Sequence, residues 1–188
     1  SKSTVVVVAF SMNIMNNPDT IRKVLIHTKT IALVGASHKP RRPANYVMKY
    51  LLEKGYTVIP INPGLEGQEL YGQKVYGSLS KIPLLSDPSD IGTTGTTTID
   101  MIDIFRNSDA VLPVVEEVIQ MMQDHSGTTC NVNKRCCIWM QVGVKNEEAA
   151  ELANQAGLDV VMDACPKLEY PKFNIKEEEA TSNKSSKL

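Results

Sequence analysis

Net charge is nearly absent from this chain: 20 Lys and Arg stand against 21 Asp and Glu, leaving −1 over 188 residues. No whole-molecule field can then recruit nucleic acid or an anionic membrane, and any cluster of cations must act locally. Long apolar runs are also absent, since none approaches the roughly 20 residues that cross a bilayer. The early apolar cluster from Val5 to Phe10 is too short for that and lacks the form of a signal peptide. It reads either as an added edge strand or as the remnant of a longer N-terminus. Neither nucleic acid nor membrane is expected as a partner. Cys130, Cys136, Cys137 and Cys165 form no C-x-x-C pair, and His27, His38 and His125 are scattered, so no metal site is expected. Cys136 and Cys137 lie in an apolar strand pattern and read as small core residues, a usage that fits a reducing compartment. The histidines stand in no Ser/His/Asp or Cys/His context. G-x-G-x-x-G is missing as well.

What is present is a strand–helix–strand unit from Thr30 to Gly64. Ile31 to Val34 is an uninterrupted apolar run, suited to a strand covered on both faces. Gly35, Ala36 and Ser37 make a small-residue turn, and His38, Lys39, Pro40, Arg41 and Arg42 follow as a basic loop. Pro43 can open a helix because its missing N–H costs nothing in the first turn. Val47, Tyr50, Leu51 and Lys54 share one face of it, and Gly55 ends it. Thr57 to Ile61 is the next strand, and Asn62, Pro63 and Gly64 turn the chain away. The first crossover has the parts of an anion site: small residues, a helix start and three cations. A short turn with solvated cations fits the same residues, and the motif alone leaves both readings open.

Elsewhere strand and helix alternate. A helix starts at Asn17-Pro18, with Ile21, Val24, Leu25 and Thr28 on one face. Glu66 to Gly72 reads as a polar loop, Lys74 to Tyr76 as a brief extended piece, and Gly77 to Leu79 as a turn. Ile99 to Phe105 alternates apolar and acidic residues, predicting a strand with one wetter face. Val111 to Gln123 is helical by spacing, Cys136 to Met140 is a buried strand, Asn146 caps a helix to Ala156, and Leu158 to Met162 is the last core strand. These elements predict a single α/β domain, Rossmann-like and doubly wound, on a mainly parallel sheet of about five strands. Its bounds are set at 18–172, after an N-terminal extension over 1–17 and before a disordered tail over 173–188. Two low-complexity inserts, Ser86 to Thr98 and His125 to Arg135, interrupt it. Ligand groups should collect at the carboxyl ends of the strands: Gly35–Ser37, Asn62–Pro63, Phe105–Arg106, Gln141–Gly143 and Asp163–Cys165. A dinucleotide is the first ligand to weigh on such a fold. The G-A-S-H-K-P turn and the Asn62-Pro63 strand end argue against NAD, which wants an acidic group there; NADP stays open, with Arg41 or Arg42 near its extra phosphate.

In order along the chain stand IALVGAS with Arg42-Pro43, GYTVIPINP, VYGSLSKIP, IDMIDIFR, WMQVGV and AGLDVVMDACPKLEY. Together these blocks, from about Thr30 to Tyr170, resemble the stand-alone CoA-binding proteins, small Rossmann-like domains related to the CoA-binding domain of the succinyl-CoA ligase α subunit. The resemblance implies a cleft for the 3′-phospho-ADP half of coenzyme A or an acyl-CoA. It implies phosphate contacts from Gly35, Ala36, Ser37 and Arg42, nucleotide contacts along Ile61, Asn62, Pro63 and Ser78, and contacts from Phe105 and Arg106 beside the adenosine or pantetheine portion. A phosphate role for Lys39, and for Arg41, rests on charge alone. The inserts depart from the family pattern but fall in connecting loops, where they could add a lid or a partner surface.

Catalysis is not required by these residues. Cys165 could exchange thiols with CoA, and is then the candidate reactive group; the plainer reading is a strand-end cysteine that packs, since no basic residue precedes Lys167 to activate it. Asp100 and Asp103 point to opposite faces of a strand and cannot converge, and surface solvation is expected for both. The tail ends in Ser186-Lys187-Leu188, the peroxisomal address where a free carboxyl terminus can enter the import receptor. The expectation is a peroxisomal CoA- or acyl-CoA-binding protein, with a thiol-exchange enzyme and an NADP-binding redox domain as alternatives. A homodimer is left open.

Overall fold

A computed structural model of the chain describes residues 16–82, 98–124, 136–173 and 175. The apolar cluster at 5–10, nearly all of the first insert, the second insert and the terminal tripeptide lie outside the described residues. The chain opens with α1 (Pro18–His27), whose first turn is fixed by Asn17 accepting from the Asp19 amide at 2.8 Å. Then come β1 (Thr30–Val34), α2 (Pro43–Glu53) and β2 (Thr57–Ile61), as the apolar runs and Pro43 predict. A small hairpin of β3 (Glu69–Leu70) and β4 (Gln73–Lys74) follows. The rest is β5 (Met101–Ile104), α3 (Val111–Asp124), β6 (Cys137–Met140), α4 (Glu147–Gln155), β7 (Asp159–Val161) and a short α5 (Pro166–Glu169).

The five main strands form one parallel sheet in the order β2-β1-β5-β6-β7. One apolar layer packs α1 and α2, with Cys165 and Tyr170 flanking α5, against it through Leu25, Val47, Leu51 and Trp139; the other packs α3 and α4 through Val115, Val118, Ala149 and Ala153. This is the doubly wound α/β fold that the alternation predicts. The chain leaves β1 for β2 on one side and returns to β5 on the other, so the strand order reverses between β1 and β5. A crevice opens at the carboxyl ends of strands at such a point. Packing reaches past both expected domain bounds: Asn16 exchanges two hydrogen bonds with the backbone of Met162, and Ile175 is buried.

Two local expectations are corrected. Glu66 to Gly72 is not a plain loop, because Tyr71 and Gly72 take positive φ (52° and 75°) and turn β3 back on β4. Nor does β5 have a wetter face, since Asp100 and Asp103 are both buried and not solvated. Asp100 accepts the Lys29 and Thr30 amides at 2.8 and 3.0 Å and so pins the entry to β1. Asp103 is paired from β6, as described below.

Candidate functional site

The loop after β1 is shaped by its neighbours. Gly35 has φ of +91°, and a Cβ there would lie 2.6 Å from the Phe105 carbonyl oxygen, so glycine is demanded by both conformation and space. The amides of Gly35 and Ala36 donate to the Ile61 carbonyl at 2.9 and 3.1 Å. Asn62 donates through Nδ2 to the Ala36 carbonyl at 2.7 Å and accepts the Gly64 amide at 2.8 Å. Asn45, buried on α2, donates to the Ser37 carbonyl at 2.8 Å and accepts the Tyr71 hydroxyl at 2.6 Å. The first two amides of the turn are thus consumed in holding it. Those of Ser37, His38 and Ala44 have no partner among the described residues. They flank the start of α2, where a helix directs its partial positive charge and Arg42 stands as the N-cap.

Beyond this loop lies a cleft of about 900 Å³, walled by the β1–α2 loop, the residues after β5 and β6, and the segment from Cys165 into α5. Its size is that of a site for a large small molecule. Arg42, Arg106 and Lys167 line it and no acidic residue does, so the cleft is electropositive although the chain is neutral overall. Lys167 is held with its Nζ 4.9 Å from the Tyr46 ring centroid. Tyr46, Val142 and Leu168, three of the four exposed large apolar side chains among the described residues, also line the cleft and give it an apolar side. A smaller recess of about 260 Å³ shares Ser37, Arg42 and Asn62 with it and adds His38 and Lys39.

Gln141 lines the cleft and is hydrogen-bonded to Asp103, which is buried and does not line it. Asp103 is fully buried, and its Oδ1 accepts from Gln141 Nε2 at 2.8 Å while Oδ2 has no partner. Burial pushes its carboxyl up to about 7, against the opposing pull of the Gln141 hydrogen bond. Cys165, on the cleft wall, has its thiol pushed up chiefly by burial, with the Lys167 and Leu168 amides pulling the other way. A thiol so held is a weak nucleophile near neutral pH. At the rim, Asp163 accepts the Gly143 amide at 2.7 Å and pairs with Lys145 at 2.7 Å, tying the loop after β6 to the end of β7. Its carboxyl is held below the ordinary range, first by that amide and then by Lys145.

Of the residues singled out from sequence, Gly35, Ala36, Ser37, Arg42, Asn62, Phe105, Arg106 and Cys165 line the large cleft, and Lys39 lines the recess. Ile61 sits buried at the end of β2, where its carbonyl holds the turn; Pro63 is exposed; and the Ser78 hydroxyl pairs with Ser80 at 3.0 Å. Those three and Arg41 line neither space. Nothing in the sequence singles out Tyr46 or Leu168, and Lys167 stands out there only as the nearest base to Cys165; Gln141 and Val142 fall within a strand end where ligand groups are expected. The strand-end rule already marks Gln141, but nothing in the spacing signals α5, whose four residues are too few to show a helical period.

Residues 29–171 match the model of the CoA binding domain family. An uncharacterized protein of Bacillus subtilis (strain 168), YneT, is 32% identical over 158 residues, covering 83% of this chain and 97% of that protein. A hypothetical protein from Pyrococcus horikoshii OT3 superposes with a TM-score of 0.64 at 36% identity, covering 83% of this chain and 91% of the other. The dinucleotide-forming acetyl-coenzyme A synthetase 1 of Ca. Korarchaeum cryptofilum, in its apo form, shares the fold at 24% identity and a TM-score of 0.52. There 75% of this chain matches 27% of the larger one.

Proposed function

The chain belongs to the CoA binding domain family, and from that premise we propose that it binds coenzyme A or a CoA thioester. The 3′-phospho-ADP half would lie at the carboxyl ends of β1, β2 and β5. The observation that carries this reading is the cleft walled by Arg42, Arg106 and Lys167, with no acid in its lining, set against the start of α2. CoA brings about four negative charges on its phosphates at neutral pH. Guanidinium groups, unpaired amides and a helix N-terminus offset that charge far better than a neutral turn. The apolar side at Tyr46, Val142 and Leu168 suits the less polar pantetheine arm and its thioester.

The proposed role is binding, buffering or presentation of CoA without catalysis. Cys165 supports this, because burial keeps its thiol protonated and so poor at exchange. Intact mass after mixing with CoA disulfide is expected to show no adduct on Cys165, and an adduct would substitute thiol exchange for passive binding. A thermal-shift series with CoA, acetyl-CoA, dephospho-CoA, NADP and NAD tests the ligand itself. CoA and acetyl-CoA should stabilise most and NAD least; stabilisation by NADP with none by CoA would contradict the proposal. The residues Ser186-Lys187-Leu188 are proposed as a peroxisomal address wherever Leu188 bears the free carboxylate. Import of a tagged protein should stop when Leu188 is removed, and import that persists rejects the address.

A further inference from the structure

Two side-chain amides line the cleft, and they differ in what they have left to offer. Both ends of Asn62 are occupied, by the Ala36 carbonyl and the Gly64 amide. Gln141 has its backbone N–H on the Ile104 carbonyl and its own carbonyl on the Val144 amide, and its Nε2 donates to Asp103. Its Oε1 alone has no partner among the described residues. The cations of the cleft and the unpaired amides of the loop are donors only. An N–H carried into this cleft by a ligand therefore meets an uncommitted amide acceptor at Gln141.

We propose that Gln141 is the specificity-determining contact for the arm of the ligand that carries secondary amide N–H groups, with Asp103 as the positioning residue that decides which end of Gln141 faces the cleft. This deepens, and rests on, the reading of the cleft as a CoA site, the pantetheine arm being the part with two such amides. The device follows from donor and acceptor rules. An ionised Asp103 can only accept, so it claims Nε2 and leaves Oε1 for the ligand. A protonated Asp103 can donate to Oε1, which turns the NH₂ toward the cleft and removes the acceptor. Burial sets this carboxyl where both states occur near neutrality, and its Oδ2 has no competing partner. Among the described residues, the groups in register with it or sensing its charge carry no charge there: Leu33 from β1 and Trp139 from β6 flank it, and the thiols of Cys137 and Cys165, which feel its charge, are both pushed up by burial.

The test is calorimetry on the full chain with two probes, CoA and 3′-phospho-ADP, which lacks the pantetheine arm. At about pH 8.5, Gln141→Met should weaken CoA about tenfold and 3′-phospho-ADP less than about twofold. Between about pH 8.5 and 5.5, the wild-type affinity ratio of CoA to 3′-phospho-ADP should fall several-fold relative to that of Asp103→Asn, the ionisation of the ligands cancelling in the comparison. A Gln141→Met ratio equal to wild type overturns the contact. A wild-type pH profile that superimposes on that of Asp103→Asn overturns its control by Asp103, and this comparison decides the matter if Gln141→Met does not fold. Binding of neither probe by the wild type would instead overturn the functional reading, and this inference with it.

Discussion

Asp103 is fully buried, with one hydrogen bond and a position between two apolar neighbours in the sheet, an unfavourable place for a carboxylate. Its carboxyl is raised from an ordinary 3.8 to about 7. Between those two values the native state holds a proton that the unfolded chain has released. Stability is therefore fully present below the unfolded value and is lost as pH rises through the folded one. The shift corresponds to at most about 4 kcal/mol. Asp103→Asn keeps the shape and removes the charge, so urea unfolding at about pH 8 should show the variant more stable than wild type by about 1–3 kcal/mol, an advantage that shrinks as pH falls through 7 and vanishes only toward the unfolded value of 3.8. A variant less stable at pH 8 would reject this account. Arg42 acts in the opposite setting, exposed at the N-cap of α2 and lining both the cleft and the recess. Arg42→Ala should weaken CoA binding by roughly 1.5–3 kcal/mol, the value of a charge-assisted contact. Unchanged affinity by calorimetry removes it from the site.

The β1–α2 loop is held by its neighbours more than by its own sequence. Its two leading amides hang on Ile61, and Asn62 links it to the turn after β2. Asn62→Ala would leave the Ala36 carbonyl and the Gly64 amide without their partners. It should cost about 1–2 kcal/mol of stability in denaturant and lower CoA affinity as well, a coupling absent if Asn62 only touches ligand. How much of this was legible follows from the kind of signal each element leaves. β1, α2 and β2 are written in an apolar run, a proline at a helix start and a glycine at its end, and they fall where those residues put them. The hairpin is built from two-residue strands around Tyr71-Gly72, too short for alternation to register. Asp100 and Asp103 depart from the expected wet face because alternation with apolar residues marks such a face only when no partner waits on the other side. Here the Lys29 and Thr30 amides and Gln141 were waiting, and they come from distant parts of the chain.

At the scale of the whole molecule, topology places the site. A parallel sheet whose order reverses between β1 and β5 brings together Gly35 and Phe105, 70 residues apart in the chain, and opens the cleft between their strand ends. That much is legible from alternation alone, since each of the five strand ends that the rule names contributes to the cleft's lining. The electropositive lining is not, because Arg42, Arg106 and Lys167 come from two loops and the short helix α5 of a nearly neutral chain. A backbone amide spectrum of the full chain titrated with CoA asks directly whether this cleft end receives the phosphates. The largest shifts should fall on Ser37, His38 and Ala44, the amides left free at the start of α2. If millimolar CoA leaves those three unmoved while a nicotinamide cofactor displaces them, the chain does not use this cleft for coenzyme A.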